Sequence, residues 1–423
     1  MMKGKIIICY GIIAGLLSVL LPVAALAGGL FLTEISGPEV GLASAGWAAR
    51  AQNASTLFTN PAGMTRFSKD ELEMGLQPIY LNMKFDADSD TTVSGKNGDA
   101  SGWMPAGGTF LVHSFTPEFK MGLGVLGYFG LALDFNNNWA GRYSAQEEKL
   151  QGLSLMPAAA YKVNDWLSIG GSMNFMYGML KTKMALNNIP EGMSDGSLKL
   201  EDTEWGIGYT VGVLVEPTKR TRFGVTYLSE VKLDFKDRPK IHDAGPLLGD
   251  LLRRIRSLEL GMTVPQGVTG SFYHEFNDQW ALMGNVGWQQ WSRFGEVEVD
   301  VEAVRRGASA TTAAPFKDTW HGALGLQFKP TNPWLLSFGI SYDSSCIDDK
   351  DRSLILPVGE AWKFGTGARY RVKENLDLTM AYEFAWAGDM PVKDVVRPVA
   401  GTVSGQYENA YFHFINLGLT WRF

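Results

Sequence analysis

From about residue 70 onward the chain alternates apolar and polar positions with a period of two, the signature of strands whose two faces meet different surroundings. Between 205 and 215 the odd positions are Trp205, Ile207, Tyr209, Val211, Val213 and Val215, while the even ones include Gly206, Gly208, Thr210 and Gly212. Between 376 and 386, Leu376, Leu378, Met380, Tyr382, Phe384 and Trp386 oppose Asp377, Thr379, Ala381, Glu383 and Ala385. The stretch 223–235 reads as one more such strand, with Phe223, Val225, Tyr227, Val231, Leu233 and Phe235 on one face and Glu230, Lys232 and Asp234 on the other. The chain ends on the same rhythm, Leu417, Leu419, Trp421 and Phe423 alternating with Gly418, Thr420 and Arg422. Short connections at 116–118, 164–165, 216–220, 277–278, 330–333 and 373–375 take turns with long polar segments near 86–103, 131–149, 187–202, 237–257, 304–315, 347–360 and 391–407. Six short turns and seven long loops join fourteen strands. An even strand count with connections sorted by length to two ends is the pattern of an outer-membrane barrel. The expected fold is all-β, a transmembrane antiparallel 14-stranded β-barrel over 69–423 with a plug inside its lumen. A charge on the lipid face costs about 2–4 kcal/mol at midplane, so the charged faces, Glu230, Lys232 and Asp234 included, should point inward.

The first residues follow another rule. A cationic start (MMKGK), a long apolar run and the small residues Ala25-Leu26-Ala27 read as a signal peptide over 1–27. Beyond it no run reaches the ~18 apolar residues of a membrane helix, so a membrane-resident chain has to cross with closed strands. Aromatics at 12% and 49 glycines suit β-structure. The net charge of -6 and the lack of a long basic run argue against nucleic acid as a partner. Cys346 is the one cysteine outside the leader, so no intrachain disulfide is expected.

Residues 28–68 do not alternate cleanly. They are rich in Gly, Ala and Ser, too apolar for a free tail and too short for a domain of their own. A fourteen-stranded barrel has a lumen that needs filling, and this segment is the expected hatch. It ends in "NPAGMTRF", with Asn60, Pro61 and Ala62. Further on come "YFGLALDFNNNWAGRY" (128–143), "EWGIGYTVGVLVE" followed by "RFGVTYLSEVKLDFK" (204–236), "VPQ" (264–266), "WQQWSRF" (288–294), "FKDTWHGALGLQF" (316–328), "SYDSS" and "LPVGEAWKFGTGARY". In type and order these resemble the FadL family of outer-membrane long-chain fatty-acid and hydrocarbon transporters over nearly the whole mature chain. One departure is Cys346, where the family usually has proline, and altered loop geometry is expected there. The resemblance implies capture of a hydrophobic ligand among outer loops, passage to a tighter internal pocket, and sideways release where one strand is kinked and the Asn-Pro-Ala turn packs into the gap. The third strand, "FKMGLGVLGYFG" (119–130), is softened by Gly122, Gly124 and Gly127. With Asn60, Pro61 and Ala62 they form the expected lateral gate. The same glycines match a dinucleotide fingerprint, but no βαβ unit surrounds them.

Several residues are candidates for ligand contact. Phe31 lies in the hatch. Leu247, Leu248, Leu251, Leu252 and Ile255 recur at helical spacing among Arg253, Arg254 and Arg256, predicting a short amphipathic outer-loop helix. It either lines a capture groove or caps a loop against lipopolysaccharide phosphates. Parity extended from Trp320 places Lys317 and His321 on the lumen face, where Lys317 either meets a carboxylate or pairs with Glu230, Asp234 or Glu383. Lys181 and Lys183 point outward near the rim, a place for lipopolysaccharide contact. "DADSDT" (86–91) is a poor calcium loop, since its sixth position is Thr91 and its twelfth Asn97. No metal site and no cofactor are expected, and no Gly-x-Ser-x-Gly elbow is present.

The expected function is passive outer-membrane transport of long-chain fatty acids or similar hydrophobic compounds in a Gram-negative bacterium, by a monomer that is not an enzyme. Neutral aromatic hydrocarbons are the alternative substrates. A surface adhesin with a plugged barrel, or a barrel lipase, are the readings from other classes.

Overall fold

A computed structural model describes residues 30–188, 192–246, 249, 252, 255–294, 296–303, 308–313, 315–355, 357–397 and 400–423. The predicted leader, 1–27, lies outside them. Fourteen strands form the wall: β1 (Glu71–Ala87), β2 (Gly102–Ser114), β3 (Phe119–Asp134), β4 (Glu147–Lys162), β5 (Leu167–Leu186), β6 (Gly196–Thr218), β7 (Thr221–Leu228), β8 (Gly267–Glu275), β9 (Trp280–Gln289), β10 (Thr319–Phe328), β11 (Trp334–Asp343), β12 (Ala361–Lys373), β13 (Leu376–Arg397) and β14 (Gly401–Arg422). Each pairs antiparallel with its sequence neighbour. β14 pairs with β1 from Arg422↔Glu71 onward, so the sheet closes on itself and the terminal aromatics belong to a closing strand. All six short turns fall at one end, as the period-two pattern predicts. The segment 391–407, expected as a loop, instead continues the β13–β14 ladder as far as Arg397↔Gly401.

The outward faces are apolar. Leu76, Trp205, Ile207, Val225, Leu324, Met380 and Leu417 are all more than half exposed, which only a lipid environment tolerates over so continuous a band. Inward faces divide into a polar side and an apolar side, and both meet the hatch.

The reading of 223–235 as one strand fails at Ser229. Its Oγ accepts the Tyr209 N–H at 2.8 Å, and residues 229–230 leave the ladder. A slip out of register flips every later side chain. Past the break, Val231, Leu233 and Phe235 are buried while Lys232 and Asp234 are exposed. The strand Val231–Asp237 has left the wall. It joins Ile255–Val264, Glu296–Ala303 and Ala308–Ala313 in a separate four-stranded sheet at the long-loop end. Its apolar side chains rest on the inner face of β5 and β6, where Gly178, Gly206 and Gly208 leave room.

Candidate functional site

The hatch, residues 30–67, is nearly all buried. It carries short helices at Gly37–Gly41 and Thr56–Thr59 and a 3-10 turn at Pro61–Arg66. Two kinds of surface hold it. On one side the lumen is charged and polar. Arg50 pairs with Glu39, Glu73 accepts from Asn53 Nδ2 at 2.6 Å and from the Ser55 N–H at 2.8 Å, and Glu34 accepts from Lys363 Nζ at 2.6 Å. On the other side it is apolar, with Leu57, Phe58 and Met64 in one cluster with Phe110, Leu126, Tyr128 and Met156.

The apolar side contains the wall's weak point. β2 and β3 pair only from Ser114↔Lys120 to Gly108↔Leu126. Above that, β2 stays with β1 as far as Gly102, and β3 stays with β4 as far as Asp134. The two strands part, leaving a gap in the barrel wall. β3 carries a bulge between Gly127 and Phe129, so both Tyr128 and Phe129 are buried; an inserted residue places two consecutive side chains on one side. Gly130 follows with φ +137°, a conformation open to glycine alone. Residues 30–32 of the hatch occupy this stretch. Phe31 bridges Phe129 antiparallel, the Leu32 N–H donates to Tyr128 O at 2.7 Å, and the Gly130 N–H donates to Leu30 O at 2.9 Å.

Beside this strap lies a narrow cavity, with about 50 Å³ open to the centres of water molecules. Its apolar wall is Phe31, Trp47, Phe58 and Trp288. Phe31 and Phe58 both pack on Tyr128, at ring separations of 5.2 and 4.8 Å, so aromatic surface runs from the cavity to the gap. Toward the mouth it continues through Phe129 to Phe294 at 6.2 Å and Phe294 to Phe316 at 5.9 Å. The opposite wall is polar. His321 Nδ1 bonds Asp343 Oδ1 at 2.6 Å, and Lys363 Nζ lies 3.0 Å from Asp343 Oδ2. Since a carboxylate only accepts, His321 Nδ1 donates this bond, and Nε2 is turned toward the cavity. His321 Nε2, Asn285 Nδ2 and Thr210 Oγ1 are buried with no hydrogen-bond partner among the described residues, and all three residues line this cavity.

The residues predicted from sequence fall in different places. Phe31 and His321 line the cavity. Lys317 does not face the lumen: it precedes β10, is 54% exposed, and pairs with Asp348 in an outer loop, not with Glu230, Asp234 or Glu383. Strand parity does not extend to it because residues 315–318 are not in the strand. Leu248 and Leu251 lie outside the described residues. Leu252 is fully buried, and Ile255 opens a strand rather than extending a helix. Gly122 and Gly124 admit the hatch, since a Cβ at either would press on Leu57. Gly127 stands at the end of the β2–β3 ladder, where a Cβ would meet Gly152 O at 3.7 Å and no hatch residue.

The Asn60-Pro61-Ala62 turn is not in the gap. Asn60 Oδ1 accepts the Ala62 N–H at 3.1 Å, and Nδ2 donates to Ala48 O at 2.7 Å and to Val213 O at 3.0 Å. Pro61 and Ala62 lie against Gly170, and Asn60 against Gly212. The wall there is continuous, with Ile169↔Val213 and Gly170↔Gly212 in register. A fully used asparagine side chain and two glycines seat the turn on paired strands, and the opening is made by β3 and covered by residues 30–32. Lys363 went unread in the sequence. Its signal was its alternation with Trp362 and Phe364, which puts a cation on the inner face.

The family described as "Outer membrane protein transport protein (OMPP1/FadL/TodX)" matches residues 18–423. A long-chain fatty acid transport protein of Escherichia coli O6:H1 is 25% identical over 402 residues, covering 86% of this chain and 88% of that one. Outer membrane protein P1 of Haemophilus influenzae is 25% identical over 408 residues, covering 86% and 87%. Among solved structures, a Pseudomonas aeruginosa FadL homologue superposes with a TM-score of 0.82 at 20% identity, covering 93% of this chain and 99% of that one. The Pseudomonas putida toluene transporter TodX superposes at 0.68 and 14% identity, covering 93% and 99%. At such identities the structural likenesses speak to the fold.

Proposed function

From a chain that belongs to the OMPP1/FadL/TodX family of outer membrane transport proteins, we infer passive uptake of long-chain fatty acids across the outer membrane of a Gram-negative bacterium. The protein is an outer-membrane barrel that transports hydrophobic compounds. The choice of acids over neutral hydrocarbons rests on one observation: the cavity joins an aromatic wall to Lys363 and to three unpartnered polar atoms on Thr210, Asn285 and His321. A hydrocarbon that displaces water from those atoms leaves them unpaired, at about 1–3 kcal/mol each. An acid head group replaces the lost bonds, its carboxylate accepting from Asn285 Nδ2 and from the Thr210 hydroxyl.

The aliphatic chain gains about 25 cal/mol per Å² of apolar surface buried along Phe316, Phe294 and Phe129. It then lies against Phe58 and Tyr128, next to the gap. Leaving there delivers it into the bilayer without return to water. The strap of residues 30–32 has to move first, and a ligand that takes its aromatic contacts replaces part of what holds it. No energy source is involved. We read the chain as a carrier without catalysis, so labelled phospholipid incubated with the purified protein should stay intact. The substrate test is equilibrium binding of oleate against toluene. Oleate is expected to bind at least tenfold more tightly, and binding of toluene alone would overturn the acid reading.

A further inference from the structure

The outer ends of β4, β5 and β6 carry a lysine-rich surface on their outward faces that transport does not use. The register sets it out in two rows. In one, Lys149 stands opposite Lys181 and Lys181 opposite Glu201. In the next, Glu147 stands opposite Lys183, Lys183 opposite Lys199, and Lys199 opposite Lys240. Asp134, opposite Glu147, borders the patch on its β3 side. Lys181 pairs with Glu147, and Glu201 serves Lys199 at 2.6 Å and Lys240 at 3.8 Å. Lys149 and Lys183 have no carboxylate partner among the described residues.

Three features point to an anionic lipid. Like charges directly across strands are destabilising, yet Lys149–Lys181 and Lys183–Lys199 are placed so. The chain as a whole is acidic, at -6, and the far side of the rim, at the outer ends of β12 to β14, presents Glu360, Asp389 and Glu408, so the lysines are concentrated against the overall sign. The height is also right. Tyr177 and Trp205, in ring contact at 5.1 Å with Trp205 63% exposed, mark the outer aromatic belt. Lys181 is four residues beyond Tyr177 on the same face, roughly 13 Å along a tilted strand and about 10 Å above the belt. That is the level of lipid head groups, reached by flexible ammonium groups whose stems lie along the wall.

We propose that this face of β4–β6 binds the phosphate groups of the outer-leaflet glycolipid, lipopolysaccharide, with Lys149 and Lys183 as the two uncommitted cations and Lys181 and Lys199 beside them. The acyl chains of that lipid would lie against Leu153, Leu155 and Ile207, which are exposed below.

The test is native mass spectrometry of the full chain in detergent, titrated with bisphosphorylated lipid A and, separately, with its dephosphorylated analogue. Bisphosphorylated lipid A should be retained and its affinity should fall as salt is added. The double variant K149Q/K183Q should bind it about twentyfold more weakly, near fivefold for each lysine, with oleate affinity unchanged. Equal binding of the dephosphorylated lipid, indifference to salt, or full retention by the double variant would each overturn the proposal.

Discussion

At the residue scale, the lumen divides into buried polar groups that are committed and others that are open. Lys363 is enclosed by Glu34 and Asp343, and removing one member of a buried ion pair strands the others at about 3–5 kcal/mol. Lys363→Met should loosen residues 30–34, making the N-terminal segment more accessible to protease, and weaken oleate at least tenfold while altering toluene by less than threefold. Parallel binding titrations and limited proteolysis would show this. Cys346 offers a check on the outer loops. Its thiol is buried, which pushes its pKa up to about 12. The raised value means that thiolate is absent at pH 8, so maleimide should fail to label the native protein there and should label it fully after unfolding. Lys317 and Lys363 show where the sequence stops being readable. Both follow an aromatic or apolar stretch, and parity separates inward from outward only within a strand. Lys363 lies inside β12 and faces in as parity requires, whereas Lys317 lies before β10, where parity means nothing.

At the scale of elements, the decisive feature is a strand that abandons its neighbour. The glycines of β3 made its softness visible in the sequence, but the bend itself is at Gly127–Gly130, and Gly122 and Gly124 serve a different end, contact with Leu57. Which residues would cover the gap was not legible, because bonding of residues 30–32 to β3 is a long-range backbone contact that leaves no period or motif. The same holds for Val231–Asp237, whose alternation is perfect but whose apolar face turns from outward to inward after the break at residues 229–230. Two outcomes follow. Cysteines replacing Phe31 and Phe129, partners in an antiparallel bridge, are close enough for a disulfide. Oxidation should abolish fatty-acid uptake and reductant restore it. Second, Gly212→Val places a side chain where Asn60 Oδ1 stands. It should expel the hatch turn and make the peptide bond after Arg66, whose side chain is already part-exposed in the seated turn, cleavable by trypsin, and a trypsin-resistant variant would refute the seating of the turn on β5 and β6.

For the whole molecule, the barrel and its membrane were the most legible part. Lipid and lumen impose opposite demands on alternate residues, and that contrast is written into nearly every strand. The route through the molecule was not legible, because it depends on which side chains from hatch and wall meet in the lumen. The polar half of the lumen, from Glu39 and Arg50 to Glu34 and Lys363, fixes the hatch, while the apolar half, from Phe316 to Tyr128, leads to the gap. The most direct measurement of this division is photo-crosslinking with a long-chain fatty acid bearing a diazirine near its methyl end, followed by mapping of the adducts. Adducts are predicted at Phe58 and Tyr128 and on the facing edges of the gap, Met104 to Ala106 and Gly127 to Gly130. Adducts confined to the outer loops, or centred on Asn60 to Ala62 beside the continuous wall, would contradict lateral passage between β2 and β3.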